Sequence, residues 1–334
     1  MLDQIEALKW IRENIAAFGV DPEHITVMGQ SAGSAATYHI LNSPLTKGLI
    51  VGAIIESGVR DPHDPLSTSL AENYITLNKS LAQGTSFIKS LNASTIAQAR
   101  TLPYADLITS FQDAKYSFTA TLDHWAMPDT YANTLLKGAA NQVPIITGNT
   151  KDESGATYGL NISLSTYLTD LNTTYSGQWV DRFFEAYPAN DTTAGAAYNS
   201  QFTDRSKVGT YLWTQKWYQA SQKPVWTYIW DHAPPSQDQG AYHESEINYV
   251  LNNLYDTIDK AWTAEDYTIA HKMNQYWVNF IKSGNPNGRG LVEWPVTGSE
   301  PTVQRLGNAF EQVKAASEEK FELFTEWFGD LVAY

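Results

Sequence analysis

At 334 residues with 43% hydrophobic content, the chain is long enough to bury a large core, either as one big domain or as two smaller ones. A formal net charge of −14 and an isoelectric point near 4.8 argue against nucleic acid and anionic membrane surfaces as partners, because both repel an acidic chain. The absence of cysteine excludes a disulfide framework, a thiolate nucleophile and a thiolate-ligated metal, and no apolar run reaches the roughly 18 residues a membrane-spanning helix needs.

Met1-Leu2-Asp3-Gln4 opens directly into an amphipathic helix with Ile5, Leu8, Ile11 and Ile15 on one face, so no signal peptide is read there. That helix is expected to close at Gly19, ahead of an Asp21-Pro22 loop. Ile25 to Met28 reads as a strand, and small residues from Ala32 toward Leu41 read as a helix. A second strand is expected over 51–56, and polar helical segments from about Ala71 to Phe118. Gln142 to Gly148 and Pro224 to Trp230 read as a third and a fourth strand. Helices are expected near 208–220, 246–254, 268–281 and 317–328. Strands alternating with helices imply a largely parallel sheet covered on both faces. We read one α/β domain over 1–334, with helical cap or lid insertions near 64–120 and 158–204. Its first visible strand would be an unpaired edge.

Between the first strand and its helix stands Gly29-Gln30-Ser31-Ala32-Gly33, a G-x-S-x-G turn with serine at its apex. A serine hydroxyl is a poor nucleophile unless a base can reach it on an exposed turn and a backbone amide can meet the oxyanion. The motif alone is weak; its position directly after a strand gives it weight. The base and the acid that orients it are expected beyond later strands. Lys151-Asp152-Glu153 follows the third strand, and Tyr242-His243-Glu244-Ser245-Glu246 follows the fourth. Asp152 and Glu153 both remain candidates for the acid. His243-Glu244 begins like a zinc-protease motif, but Ile247 stands where the second histidine is required, so no metal is expected. His39 reads as a packed core residue, and His24, His63, His124, His232 and His271 as loop or polar-face residues. Five Asn-x-Ser/Thr sequons, at Asn78, Asn92, Asn161, Asn172 and Asn190, lean toward a secretory history.

Ser31, then Glu153, then His243 is the order of α/β-hydrolases. The chain resembles type-B carboxylesterases, the family of the cholinesterases and several fungal lipases. The resemblance rests on Asp3-Gln4 through Trp10, Phe18 to Pro22, the Ser31 elbow, Glu56-Ser57-Gly58, Lys151 to Glu153, Gly240 to Glu246, and Tyr276 to Phe280 with Gly284 to Asn287. It implies the α/β-hydrolase fold, without the family's first strands. By resemblance, Ser31 is the nucleophile, Glu153 the triad acid, His243 the general base, and Ala32 the donor of one oxyanion-hole amide. Ser57 and Glu246 resemble supports close to the triad. The implied activity is cofactor-free hydrolysis of a small-molecule carboxylic ester, in a parent protein that is secreted. No histidine is followed by glycine, so the family's His-Gly-Gly oxyanion loop has no counterpart here. Gln30 replaces the cholinesterase glutamate before the nucleophile, which favours a neutral ester over a choline ester. Two other readings are a truncated, catalytically impaired product and a cholinesterase-like, non-enzymatic binding domain.

Overall fold

Strand β6 (Val225–Trp230) is entirely β-branched and aromatic, and every one of its residues is buried. Such a run cannot face water on either side, so it settles in the middle of a sheet with helices above and below. The computed structural model describes residues 1–68, 73–113, 118–256 and 260–334. In chain order it contains α1 (Leu2–Asn14), β1 (Thr26–Gln30), α2 (Ala32–Asn42), β2 (Gly52–Glu56), β3 (Tyr74–Thr76), α3 (Leu77–Ser90), α4 (Ile96–Ala99), α5 (Tyr104–Asp113), β4 (Ala120–Leu122), α6 (Tyr131–Lys137), β5 (Ile145–Thr150), α7 (Leu164–Tyr175), α8 (Trp179–Ala186), α9 (Ala194–Ser221), β6, α10 (Ile247–Leu251), α11 (Ala264–Ser283), β7 (Thr302–Leu306), β8 (Glu311–Lys314) and α12 (Glu318–Gly329).

The main sheet runs β1-β2-β5-β6-β7-β8, parallel except for the antiparallel β7–β8 hairpin. Among the described residues β1 is an outer strand, and its residues are half-buried or exposed. Side-chain alternation sorts the core into two layers. Ile54, Ile146, Trp226, Tyr228 and Trp230 meet α10 and α11 on one face. On the other face, Ala53, Ile55, Ile145 and Val225 meet Tyr38, Leu41, Trp213 and Trp217, while Ile229 and Val303 meet α7, α8 and α12.

The four strands expected from the sequence are present, with the third displaced to 145–150. Two were missed. β7 and β8 carry Gln304, Arg305, Glu311 and Lys314, and this polar content hides a strand that lies near a sheet edge. A separate two-stranded parallel sheet, β3–β4, also interrupts the stretch read as helical; Ala71, where that stretch was expected to begin, lies outside the described residues. The helix expected over 246–254 is shorter, because Asn252 turns left-handed at φ 51° and ends α10.

Candidate active site

Register brings one residue from each of five strands into a row on the α11 face: Gln30, Glu56, Gly148, Tyr228 and Gln304. β1 and β2 end at this row, and β5 and β6 end two residues beyond it, before the loops that carry the candidate residues.

Ser31 links β1 to α2 with φ 56° and ψ −115°, a conformation that costs a non-glycine residue roughly 1–3 kcal/mol. Its N–H continues the β2 ladder to Glu56 O at 3.0 Å, and its carbonyl accepts from Ser34 and Ala35 N–H to begin the helix. A Cβ on Gly29 would lie 2.3 Å from the Gly33 carbonyl oxygen, so only glycine fits there. Gly33 differs: a Cβ at its position meets nothing within 4 Å. Ala32 is the first residue of α2, where backbone amides lack an intrahelical acceptor. Beside it a cleft of about 940 Å³ opens, lined by Ala35, Ala36, His39, Leu77 and Phe118 among others.

Glu153 follows β5 and is 7% exposed. Its Oε1 accepts the Thr150 N–H at 2.8 Å, and its Oε2 lies 2.5 Å from His243 Nδ1. Asp152, the other candidate acid, points elsewhere and accepts the Ala241 N–H. The Glu153 hydrogen bond raises the His243 pKa above its ordinary value, against the opposing effect of partial burial. With its proton on Nδ1, the imidazole presents a lone pair at Nε2, which lies 3.2 Å from Gln30 Nε2. Among the described residues, Ser31 Oγ makes no hydrogen bond to His243. The structure therefore brings Glu153 and His243 together and sets the Gln30 amide against the free ring nitrogen.

Ser57 follows β2 at φ 54°, with its N–H bonded to Gly148 O at 2.8 Å and its buried Oγ unpartnered. Ser154 and Glu244, each next to a candidate residue, also take positive φ (58° and 73°). Left-handed backbone thus recurs at four turns around the site. Glu246 is fully buried with its Oε1 3.5 Å from the Tyr228 hydroxyl, while Glu56 Oε1 accepts the Trp277 indole N–H at 2.7 Å. Sequence reasoning missed Glu56 as an acid near the site, although it stood in a motif already singled out. Burial at a strand end, beside a turn that bends away, was the available signal.

Of the other histidines, His39 is buried, which lowers its pKa to about 4. His232 sits in a loop but is hydrogen-bonded at both nitrogens, to Asn308 and Asp266. Among the described residues no group of three or more acidic, histidine or cysteine side chains could hold a metal, and no helix is long and apolar enough to cross a membrane.

The carboxylesterase family profile matches residues 1–323. The chain belongs to the carboxylesterase family. It is 28% identical over 318 residues to the para-nitrobenzyl esterase of Bacillus subtilis (strain 168), covering 88% of this chain and 60% of that protein. It is equally 28% identical over 327 residues to carboxylesterase 5A of Felis catus, covering 88% of this chain and 58% of that one. A solved PNB esterase superposes with a TM-score of 0.73 at 24% identity, over 97% of this chain and 67% of the other, so the fold is that of an α/β-hydrolase. This carboxylesterase-family chain spans about 60% of the length of the curated relatives it matches.

Proposed function

We propose that this chain carries the triad of a serine carboxylic-ester hydrolase, with Ser31 as nucleophile, His243 as base and Glu153 as its orienting acid. The observation that carries the reading is the Glu153–His243 contact at 2.5 Å, formed beside a serine held at φ 56° on a strand-to-helix elbow. His243 Nε2 takes the Ser31 Oγ proton as the oxygen attacks the ester carbonyl. The Ala32 N–H stabilises the oxyanion, and the tetrahedral intermediate expels the alcohol, which is protonated by the imidazolium. Water, deprotonated by the same imidazole, then hydrolyses the acyl-serine. Glu153 holds Nδ1–H throughout, and no cofactor enters. Because the Gln30 amide lies against Nε2, it must swing aside before Ser31 can use that nitrogen.

The substrate class is a small, neutral carboxylic ester, consistent with the uncharged Gln30 beside the nucleophile and the cleft adjoining Ala32. We read 1–334 as one domain in which 64–120 and 158–204 are insertions covering the sheet. Secretion and glycosylation of the protein are supported by the sequons, since Asn78, Asn92, Asn161, Asn172 and Asn190 are all exposed. Stoichiometric labelling of Ser31 by a fluorophosphonate, abolished in S31A, tests the activity. Absence of labelling in a folded protein would overturn it.

A second reading, a catalytically impaired chain, is favoured by one specific point. Among the described residues Ala32 is the one amide assigned to the oxyanion, and loss of a single donor elsewhere costs about 10²–10³ in turnover. A cooperative melt accompanied by ester turnover would refute it.

A further inference from the structure

Beside Glu153 of the proposed triad, two further buried carboxylates, Glu56 and Glu246, have no assigned work. Glu56 is 2% exposed and Glu246 is fully buried. Gly148 stands between Glu56 and Tyr228 in the cross-strand row, and a Cβ there would lie 2.4 Å from the Tyr228 ring. Lacking that Cβ, the residue lets the Tyr228 ring lie over the gap, with its hydroxyl at Glu246. Trp277 closes the same space from α11, bonded to Glu56 and 5.5 Å from the Tyr228 ring centroid. Both carboxylates therefore enter one pocket walled by two aromatic rings. Among the described residues, neither is paired with lysine, arginine or histidine, and Glu246 Oε2 has no hydrogen-bond partner. Two ionised carboxylates in so dry a space would repel each other, with hydrogen bonds from Trp277 and Tyr228 but no positive charge to offset the loss of hydration.

We propose that Glu56 and Glu246 form a carboxyl pair that keeps one proton between them at neutral pH, so that the pair places one negative charge rather than two behind the His243 site. The titratable groups facing the pair are Tyr228 from β6 and Glu153 from the loop after β5; α11 contributes the neutral Trp277 and β1 the neutral Gln30. Burial raises the Glu56 pKa to about 7, and burial together with the Glu56 charge raises that of Glu246 well above the ordinary range. Glu56 is on this view a positioning residue, acting through the charge state of its neighbours rather than on substrate. The role rests on the ester-hydrolase reading, but the shared proton itself does not.

Urea unfolding of the whole chain, compared with E56Q and E246Q, tests the pair without any need for turnover. One retained proton makes the wild-type unfolding constant rise about tenfold per pH unit, relative to either variant, between the ordinary glutamate value of about 4.3 and about 7. Either single substitution is expected to remove that difference, and E56Q/E246Q to behave like the single variants. Equal pH dependence in wild type and E56Q/E246Q would mean that both groups are ionised, and a tenfold slope kept by each single variant relative to E56Q/E246Q would mean that each group holds a proton of its own; either result overturns the proposal. Should a variant fail to fold, infrared spectra of wild type labelled with ¹³C-glutamate decide the matter. A protonated carboxyl band near neutral pH is expected, and its absence refutes the pair.

Discussion

Asp152 and Ala241 clasp each other from both sides: Asp152 Oδ2 accepts the Ala241 N–H at 2.7 Å, and the Asp152 N–H donates to Ala241 O at 3.0 Å. The contact fixes the loop bearing Glu153 to the loop bearing His243, one residue from the acid and two from the imidazole. Gly240 is needed for it, since it sits at φ 69° and a Cβ there would come 2.3 Å from Asp152 Oδ2. The second carboxylate of the Asp152-Glu153 pair is thus explained as a bracket that sets the distance between the other two.

D152A should therefore cost about 1.5–3 kcal/mol of stability through loss of a charge-assisted hydrogen bond. Its larger effect should fall on Ser31 labelling, slowed roughly 100-fold as the imidazole drifts from its acid. D152N keeps an acceptor oxygen and should lie between D152A and wild type. Labelling of D152A at the wild-type rate would remove the bracket role.

The two glycines of the elbow separate by substitution. G29A forces a Cβ into the Gly33 carbonyl and is expected to lose at least about 3 kcal/mol, or not to fold. G33A meets open space inside α2 and should gain up to about 1 kcal/mol from helix propensity. Thermal melts of the two variants check both signs.

The elbow and the two loops were legible in the sequence because a buried strand followed by glycine-flanked serine, or by clustered acids, reports local chemistry that one chain segment fixes by itself. Glu153 rather than Asp152 meeting His243 was legible only through the family resemblance, since adjacent residues differ only in which way the turn at Ser154 aims them. The position of the Gln30 amide against His243 Nε2 is a matter of side-chain rotamer, to which no sequence pattern refers. Likewise, β7 and β8 escaped notice because Arg305 is accommodated by partners distant in sequence or across the hairpin, Asp231 and Glu311.

Replacing Glu153 by Gln should lower turnover by about three to four orders of magnitude with little change in fold, since the amide cannot hold an imidazolium. The Glu153 hydrogen bond raises the His243 pKa, so E153Q should shift the acid limb of the kcat/KM profile to lower pH, with residual activity appearing where wild type is already protonated. The stability linkage has the opposite sense to that of a carboxylate with a depressed pKa. A raised imidazole pKa adds stability that is fully present below the unfolded value of about 6.5 and fades as pH rises through the folded value. The imidazole side chain is 44% exposed, so solvent screening keeps that contribution small. An unmoved acid limb in E153Q would mean that Glu153 does not orient the base.

Beneath the acid loop, Asp64 is buried between Arg205, which bonds it through Nε at 3.1 Å and through a second guanidinium nitrogen, and Arg60, 3.5 Å away. Arg60 also donates to Ser154 Oγ at 3.1 Å, so this cluster reaches the residue after Glu153. Burial alone would raise the Asp64 pKa, but the two guanidinium charges outweigh it and hold it below the ordinary value. Its contribution is therefore present above the unfolded value of about 3.9 and is lost as pH falls through the depressed folded one. R205M strands the carboxylate with the more distant arginine, and should cost about 3–5 kcal/mol at neutral pH. In R205M/D64N buried Arg60 loses its carboxylate partner in turn, so that loss should not be recovered. Urea melts at neutral and acid pH would check this. The penalty of R205M should shrink toward acid as Asp64 becomes neutral, whereas a pH-independent penalty would assign it to lost packing of the guanidinium, which lies 4.9 Å over the Trp327 ring.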